Sequence, residues 1–125
     1  MSRRRDEGTT VVEFVAATTL VAVLLIGLIQ VASYAYAGNV ARHAAHEGAR
    51  VGAEFGRSGA DGASVASRAL ADDLGGTGRR YEVRGRRVGD RSVVDVSGPA
   101  PRLLPFVPTL SVHAHAEVAI EDETR

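Results

Sequence analysis

Two hydrophobic periods divide this chain. From Phe14 to Ile29 no charged residue interrupts an apolar run, and the wider segment Val11–Ala37 carries only Gly27, Gln30 and a few hydroxyls as polar or flexible points. A helix needs ~20 mostly apolar residues to cross ~30 Å of hydrocarbon, so this stretch predicts a transmembrane helix, assigned to residues 9–37. Beyond it the pattern turns amphipathic. Val40, Ala44, Ala45, Gly48, Val51, Gly52 and Phe55 share one helical stripe, while Arg42, His46, Arg50 and Glu54 lie off it. The pattern predicts one long helix continuing out of the apolar run to about Phe55, with a bend near Gly38. Small residues at Ala44, Ala45, Gly48 and Gly52 suit close helix packing.

Gly56 to Gly62 interrupts the helical period. A second helix is expected from about Gly62 to Leu74, capped by Asp61, with Val65, Ala69, Leu70 and Leu74 apolar and with Gly75-Gly76-Thr77-Gly78 ending it. The period then changes to two. Tyr81–Arg84 alternates, Val93–Val96 is β-branched after a Gly89-Asp90 turn, and Leu110–Ile120 alternates throughout its length. Prolines bracket a loop holding Leu103, Leu104, Phe106 and Val107. The fold class is therefore α+β: a long N-terminal transmembrane helix extending into an extracytoplasmic helix, a second short helix, and an antiparallel sheet of about three strands. Residues 1–8 read as a short disordered leader, with Thr9 as helix N-cap, and residues 38–125 as a small extracytoplasmic domain.

Composition narrows the classes. The chain has 125 residues, fifteen basic and fifteen acidic, every basic one arginine, and no cysteine. A net charge of zero gives no general argument for nucleic-acid binding, and disulfides or thiolate metal sites are excluded. With three Phe, three Tyr and no Trp, the domain has few large core residues and is expected to lean on the membrane helix or on partner subunits. The grouping of Arg3, Arg4 and Arg5 before the apolar run favours a cytoplasmic N-terminus, although Arg42, Arg50 and Arg57 follow it. Ala35-Tyr36-Ala37 also has the form of a secretory cleavage site, which leaves cleavage after Ala37 as an alternative.

The histidines invite a metal reading. His43 and His46 lie three apart on a helix beside Glu47, and His113 and His115 share a strand face. Exposed polar positions on amphipathic elements explain all four equally, and no HExxH, nucleophile elbow or phosphate loop accompanies them. No cofactor, small-molecule substrate or enzymatic activity is expected. The arginines from Arg79 to Arg91 can form a basic face for anionic lipid or a partner, but charge protecting a solvated strand edge is the commoner arrangement.

The junction Gly8-Thr9-Thr10-Val11-Val12-Glu13-Phe14 lies between the arginine cluster and the apolar run. It resembles the processing site of type IV prepilins of the Tad/Flp branch, a glycine, four residues, then Glu followed by an aromatic. The segment Ala44-Ala45-His46-Glu47-Gly48-Ala49-Arg50 resembles the block that follows the span in TadE-like proteins, with His46 where arginine is more usual. Leu103-Leu104-Pro105 and His115-Ala116-Glu117 are similar, more weakly, to actinobacterial members. The resemblance implies a minor pilin or pseudopilin of Tad (tight adherence) pilus systems. It implies cleavage between Gly8 and Thr9 by a prepilin peptidase, roles for Glu13 and Phe14 in processing and assembly, and other pilins, Tad secretion machinery and membrane lipid as partners. On residue chemistry alone, Glu13 at the interface favouring the helix N-terminal dipole, and Phe14 at the headgroup boundary, are equally good accounts. An uncleaved, single-pass anchored scaffold of a secretion apparatus is the alternative.

Overall fold

The computed structural model describes residues 2–102 and 108–120; the expected Leu103–Val107 loop lies outside the described residues. The chain divides into two compact units, Met1–Ala32 and Ser33–Arg125. The fold is α+β, with element order α1 (Ser2–Ala53), α2 (Gly59–Leu74), a 3-10 turn at Gly78–Arg80, β1 (Glu82–Val88), β2 (Arg91–Pro99) and β3 (Ser111–Ala119).

The first unit is helical, and its side chains from Glu7 to Ile29 are all exposed. By length and composition α1 can cross a membrane, and it is the one such helix among the described residues. Val11–Ile29 has no core of its own to enter, so lipid is the environment that its apolar side chains fit. The expectation of a disordered leader with a helix start at Thr9 is corrected: α1 begins at Ser2 and Thr9 lies inside it. It also runs through Gly38 as continuous helix, and it stops at Ala53 instead of Phe55.

The second unit is built on small residues. Ala37, Ala41, Ala44, Ala45 and Ala49 of α1 are fully buried, in one cluster with Ala66 and Leu70 of α2 and Val94, Val96, Val112 and Ala114 of the sheet. Phe55, placed on the same stripe by its sequence spacing, is instead 66% exposed, because the helix ends two residues before it. Where α1 and α2 cross, a Cβ on Gly48 would lie 2.6 Å from the Gly62 carbonyl oxygen, and one on Gly62 would lie 2.5 Å from the Gly48 oxygen. Backbone therefore meets backbone, an approach that only glycine permits.

α2 starts three residues earlier than the sequence suggested. Ser58, not Asp61, is its N-cap: the Asp61 backbone N–H donates to Ser58 Oγ (3.2 Å) while the Ser58 backbone N–H donates to Asp61 Oδ2 (2.8 Å), a reciprocal capping box. The buried face of α2 is Gly62, Ala66 and Leu70; Val65, Ala69 and Leu74 lie beside it, part-buried. Gly75 ends the helix at φ +59°. After it Gly78–Arg80 forms a 3-10 turn in which Gly78 is buried.

The three strands form an antiparallel meander, β1-β2-β3. Val88 pairs with Arg91 across the two-residue Gly89-Asp90 turn, with Gly89 at φ +60° and Asp90 at negative φ. That is the primed turn with glycine first, whose twist matches the strands. Alternation assigns the two faces. Val94, Val96, Val112 and Ala114 point to the helices, while Arg84, Arg86, Asp95, His113, His115 and Glu117 occupy the other face.

Arg87 joins the hairpin to the end of α1. Its Nε and Nη2 donate to the Gly52 carbonyl (3.3 and 3.0 Å), and Nη2 donates to the Glu54 carbonyl (3.1 Å). The last carbonyls of a helix lack intrahelical donors and carry partial negative charge, so a guanidinium there satisfies both needs.

Gly48→Val is expected to lower the unfolding free energy by about 1–3 kcal/mol, because the crossing must open. Gly38→Ala, with nothing within 4 Å of its Cβ, should be neutral or stabilising by up to about 1 kcal/mol. Thermal unfolding of the detergent-solubilised chain by circular dichroism compares them; equal melting temperatures would contradict the crossing. Arg87→Met, which keeps the stem and removes the donors, should cost about 1–2 kcal/mol in the same assay.

Candidate processing junction, packing stripe and charged sheet face

The site residues singled out in the sequence fall in two places. Gly8, Thr9, Glu13 and Phe14 lie on the exposed first unit; Ala44, Ala45, Gly48 and Gly52 lie in the second. Gly8 is helical, not extended, and a Cβ there would meet nothing within 4 Å, so no packing demand explains a glycine at this position. Phe14 is 71% exposed. Glu13 is exposed on the same helix, and among the described residues no cation lies within ion-pair distance of it. A carboxylate at the head of an apolar run, with no partner in its own chain, is costly in lipid unless a cation is supplied from elsewhere or it reaches the interface. Within the run, Thr19 Oγ1 donates to the Val15 carbonyl (2.8 Å), the internal satisfaction that a hydroxyl in hydrocarbon requires.

Ala44, Ala45, Gly48 and Gly52 are all buried. Gly48 and Gly52 border Gly62 of α2, and a Cβ on Gly52 would meet Ser92 Oγ at 2.5 Å. Ser92, at 0% exposure, has no hydrogen-bond partner for its hydroxyl among the described residues. This stripe is thus filled within the second unit.

The outer face of the sheet carries a feature that periodicity alone did not reveal. Antiparallel register places Arg84, Asp95 and His115 side by side, with Arg86 and Glu117 across the next rung. A chain of ion pairs results. Arg86 Nη1 lies 3.0 Å from Asp95 Oδ2, and Asp95 Oδ1 lies 2.5 Å from His115 Nδ1. His115 Nε2 lies 3.0 Å from Glu117 Oε1, and Glu117 Oε2 lies 3.2 Å from Arg91 Nη1. Only the imidazolium can donate from both ring nitrogens. Hydrogen bonds to Asp95 and then Glu117 accordingly raise the His115 pKa, and those from His115 lower the pKa of both carboxylates. The strand arginines are largely committed in the same way, with Arg84 on Glu82 at 2.6 Å. Among the described residues no group of three or more His, Asp or Glu is arranged to hold a metal ion, and His43 and His46 stay exposed on α1.

These shifts fix a pH window. His115 is raised in the folded chain, so its contribution is complete below its ordinary value near 6.5 and is lost as pH rises through the folded value. Asp95 and Glu117 are lowered, so theirs is present above about 4.5 and is lost as pH falls. Stability should therefore peak between about pH 4.5 and about pH 6.5. Melting temperatures across pH 3–9 should show both limbs, and His115→Gln should flatten the alkaline one; an unchanged alkaline limb in that variant would exclude the ion-pair chain as its cause.

Neither a curated protein nor a solved structure matches the chain. Residues 8–50 match the family model described as TadE-like protein. The match opens at Gly8, takes in Glu13, Phe14 and the whole charge-free run, and closes at the exposed Arg50, just after Gly48 of the buried stripe. Over residues 8–50, the segment that holds the apolar run and the start of the packing stripe, the chain is similar to TadE-like proteins.

Proposed function

We propose that this chain is a prepilin-like subunit acting in Tad pilus assembly, a minor pilin or pseudopilin that a prepilin peptidase cuts between Gly8 and Thr9. The TadE-like match supports a Tad pilus-associated, pilin-like role. The observation that carries the finer reading is the carboxylate of Glu13, exposed and unpaired among the described residues, one helical turn after Thr9. Cleavage would create a cationic amine at Thr9, and a neighbouring subunit's amine can then neutralise this carboxylate as the helices pack. Gly8 fits the cut because glycine weakens a helix by about 1 kcal/mol relative to alanine, so the peptide can leave the helix for the peptidase at small cost. The N-terminus is cytoplasmic in this reading, the apolar run spans the membrane, and residues 38–125 lie outside the cytoplasm. The subunit serves at low copy in the fibre or as an accessory to its initiation. Its role is structural, and its partners are the peptidase, other pilins and the Tad secretion machinery.

One observation favours a second reading. Gly8 is helical, a conformation in which a peptidase cannot take the backbone, and this suits an uncleaved anchored scaffold of a secretion apparatus.

Intact mass and N-terminal sequencing of the membrane-extracted chain separate the two. A mature chain beginning at Thr9, lost in Gly8→Leu, is the expected result. A chain beginning at Met1 or Ser2 would leave the anchored scaffold, and one beginning at Gly38 would make it an ordinary secreted domain.

A further inference from the structure

No charged residue stands between Glu13 and Arg42. Helical rise over residues 14–41 gives about 42 Å. A bilayer measures ~40–45 Å with its headgroup layers included. Arg42 is thus the first charge to follow the apolar run, at the depth along α1 where lipid phosphates lie. Tyr34 and Tyr36 are exposed two turns and less before it, in the place where aromatic belts mark an interface.

At this level the second unit has a cavity of about 200 Å³, lined by Tyr34, Gly38, Asn39 and Arg42 of α1 and by Val112 and His113 of β3. Its polar side chains are mostly donors: a guanidinium, an amide and a phenol. Arg42 Nη2 donates to Asn39 Oδ1, which holds the guanidinium at the cavity, and among the described residues no carboxylate forms an ion pair with it. The larger hollow on the sheet face differs on this point, because Arg84 and Arg86 there are already matched by Glu82 and Asp95. The smaller cavity falls below the ~300–1,000 Å³ typical of pockets that enclose a small molecule. It is sized for one anionic group whose remainder stays outside.

We infer that this cavity binds the phosphate of an anionic phospholipid headgroup, with Arg42 as the charge partner and Asn39 and Tyr34 as hydrogen-bond donors. Gly38, with no side chain, leaves the helix surface open to the headgroup. A headgroup seated between α1 and β3 fixes the depth and rotation of the domain at the membrane surface. The inference rests on the membrane-anchored reading of α1, and not on cleavage at Gly8.

The test uses the full chain reconstituted in phosphatidylcholine vesicles doped with spin-labelled phosphatidylglycerol or spin-labelled phosphatidylcholine. The motionally restricted fraction of each label reports its association with the protein. Phosphatidylglycerol should be preferred by about fivefold, the effect of one arginine at an anionic surface. Arg42→Gln should abolish the preference, and Arg68→Gln, at an exposed position of α2, should leave it unchanged. Equal association of the two lipids in the wild type, or a preference that survives Arg42→Gln, would overturn the site. Displacement of the labelled lipid by excess inorganic phosphate would make it a free-anion site and overturn the lipid assignment. Flotation of the chain with pure phosphatidylcholine vesicles separates the levels: without flotation the anchoring itself fails, whereas flotation without lipid preference overturns the headgroup site alone.

Discussion

Everything in the second unit hangs on the distance between two helix backbones. The largest fully buried side chains are Leu70, Val94, Val96 and Ser92, and most of the remaining core is alanine. Side chains this short make dense contact only if the elements that carry them come very close, because dispersion attraction falls off within an ångström of gap. Gly48 facing Gly62 permits that approach, and the alanines on either side of the crossing then reach α2 and the sheet. A leucine-rich core would tolerate wider spacing and looser register. This one gains its order from backbone proximity, which makes it sensitive to a single methyl group at the crossing.

The polar interactions complete what the small core leaves open. Arg87 on the β1 hairpin meets the terminal carbonyls of α1, so the end of the longest element is closed by a residue from the sheet. On the far side of the sheet the ion pairs running from Arg86 to Arg91 through Asp95, His115 and Glu117 surround Val93, which is buried on that face between Arg86 and Glu117. Each pair is solvent-exposed and individually weak. Their value lies in linking all three strands through one connected set and in marking both outer strands with charge, which discourages edge-to-edge association.

The TadE-like match stops at Arg50, before α2 and the sheet. It covers the part of the chain that physical constraints hold most tightly: a junction, a span of membrane length and a stripe of small residues. The α2-and-sheet part has freer rules, since any pair of layers that buries the Ala44–Gly48–Gly52 surface satisfies the helix.

The apolar run, the change from a helical period to a period of two, the Gly89-Asp90 turn and the alternation of β3 were legible in the sequence, because each depends on residues close together in the chain. The errors arose where local signals compete. Asp61 is a good capping residue, yet it serves as the third residue of a box whose cap is Ser58, and the choice between them is made by where α2 must start to meet β1. Phe55 continues the apolar stripe in spacing but lies beyond the helix end, whose carbonyls are met by Arg87, thirty-odd residues away in sequence. Residues 1–8 are expected to be disordered, whereas the helix simply propagates through residues 2–8, since adding a residue to an existing helix is far easier than nucleating one. By itself the sequence determined the class of the fold and the length of the apolar run, both of which follow from near-neighbour patterning. Only the tertiary structure decided that Gly48 meets Gly62, that His115 stands between two carboxylates, and that Arg42 and His113 share one cavity. Those pairings join residues far apart in the chain, and the register of strands and the crossing of helices that create them are fixed by packing, for which no local pattern stands in.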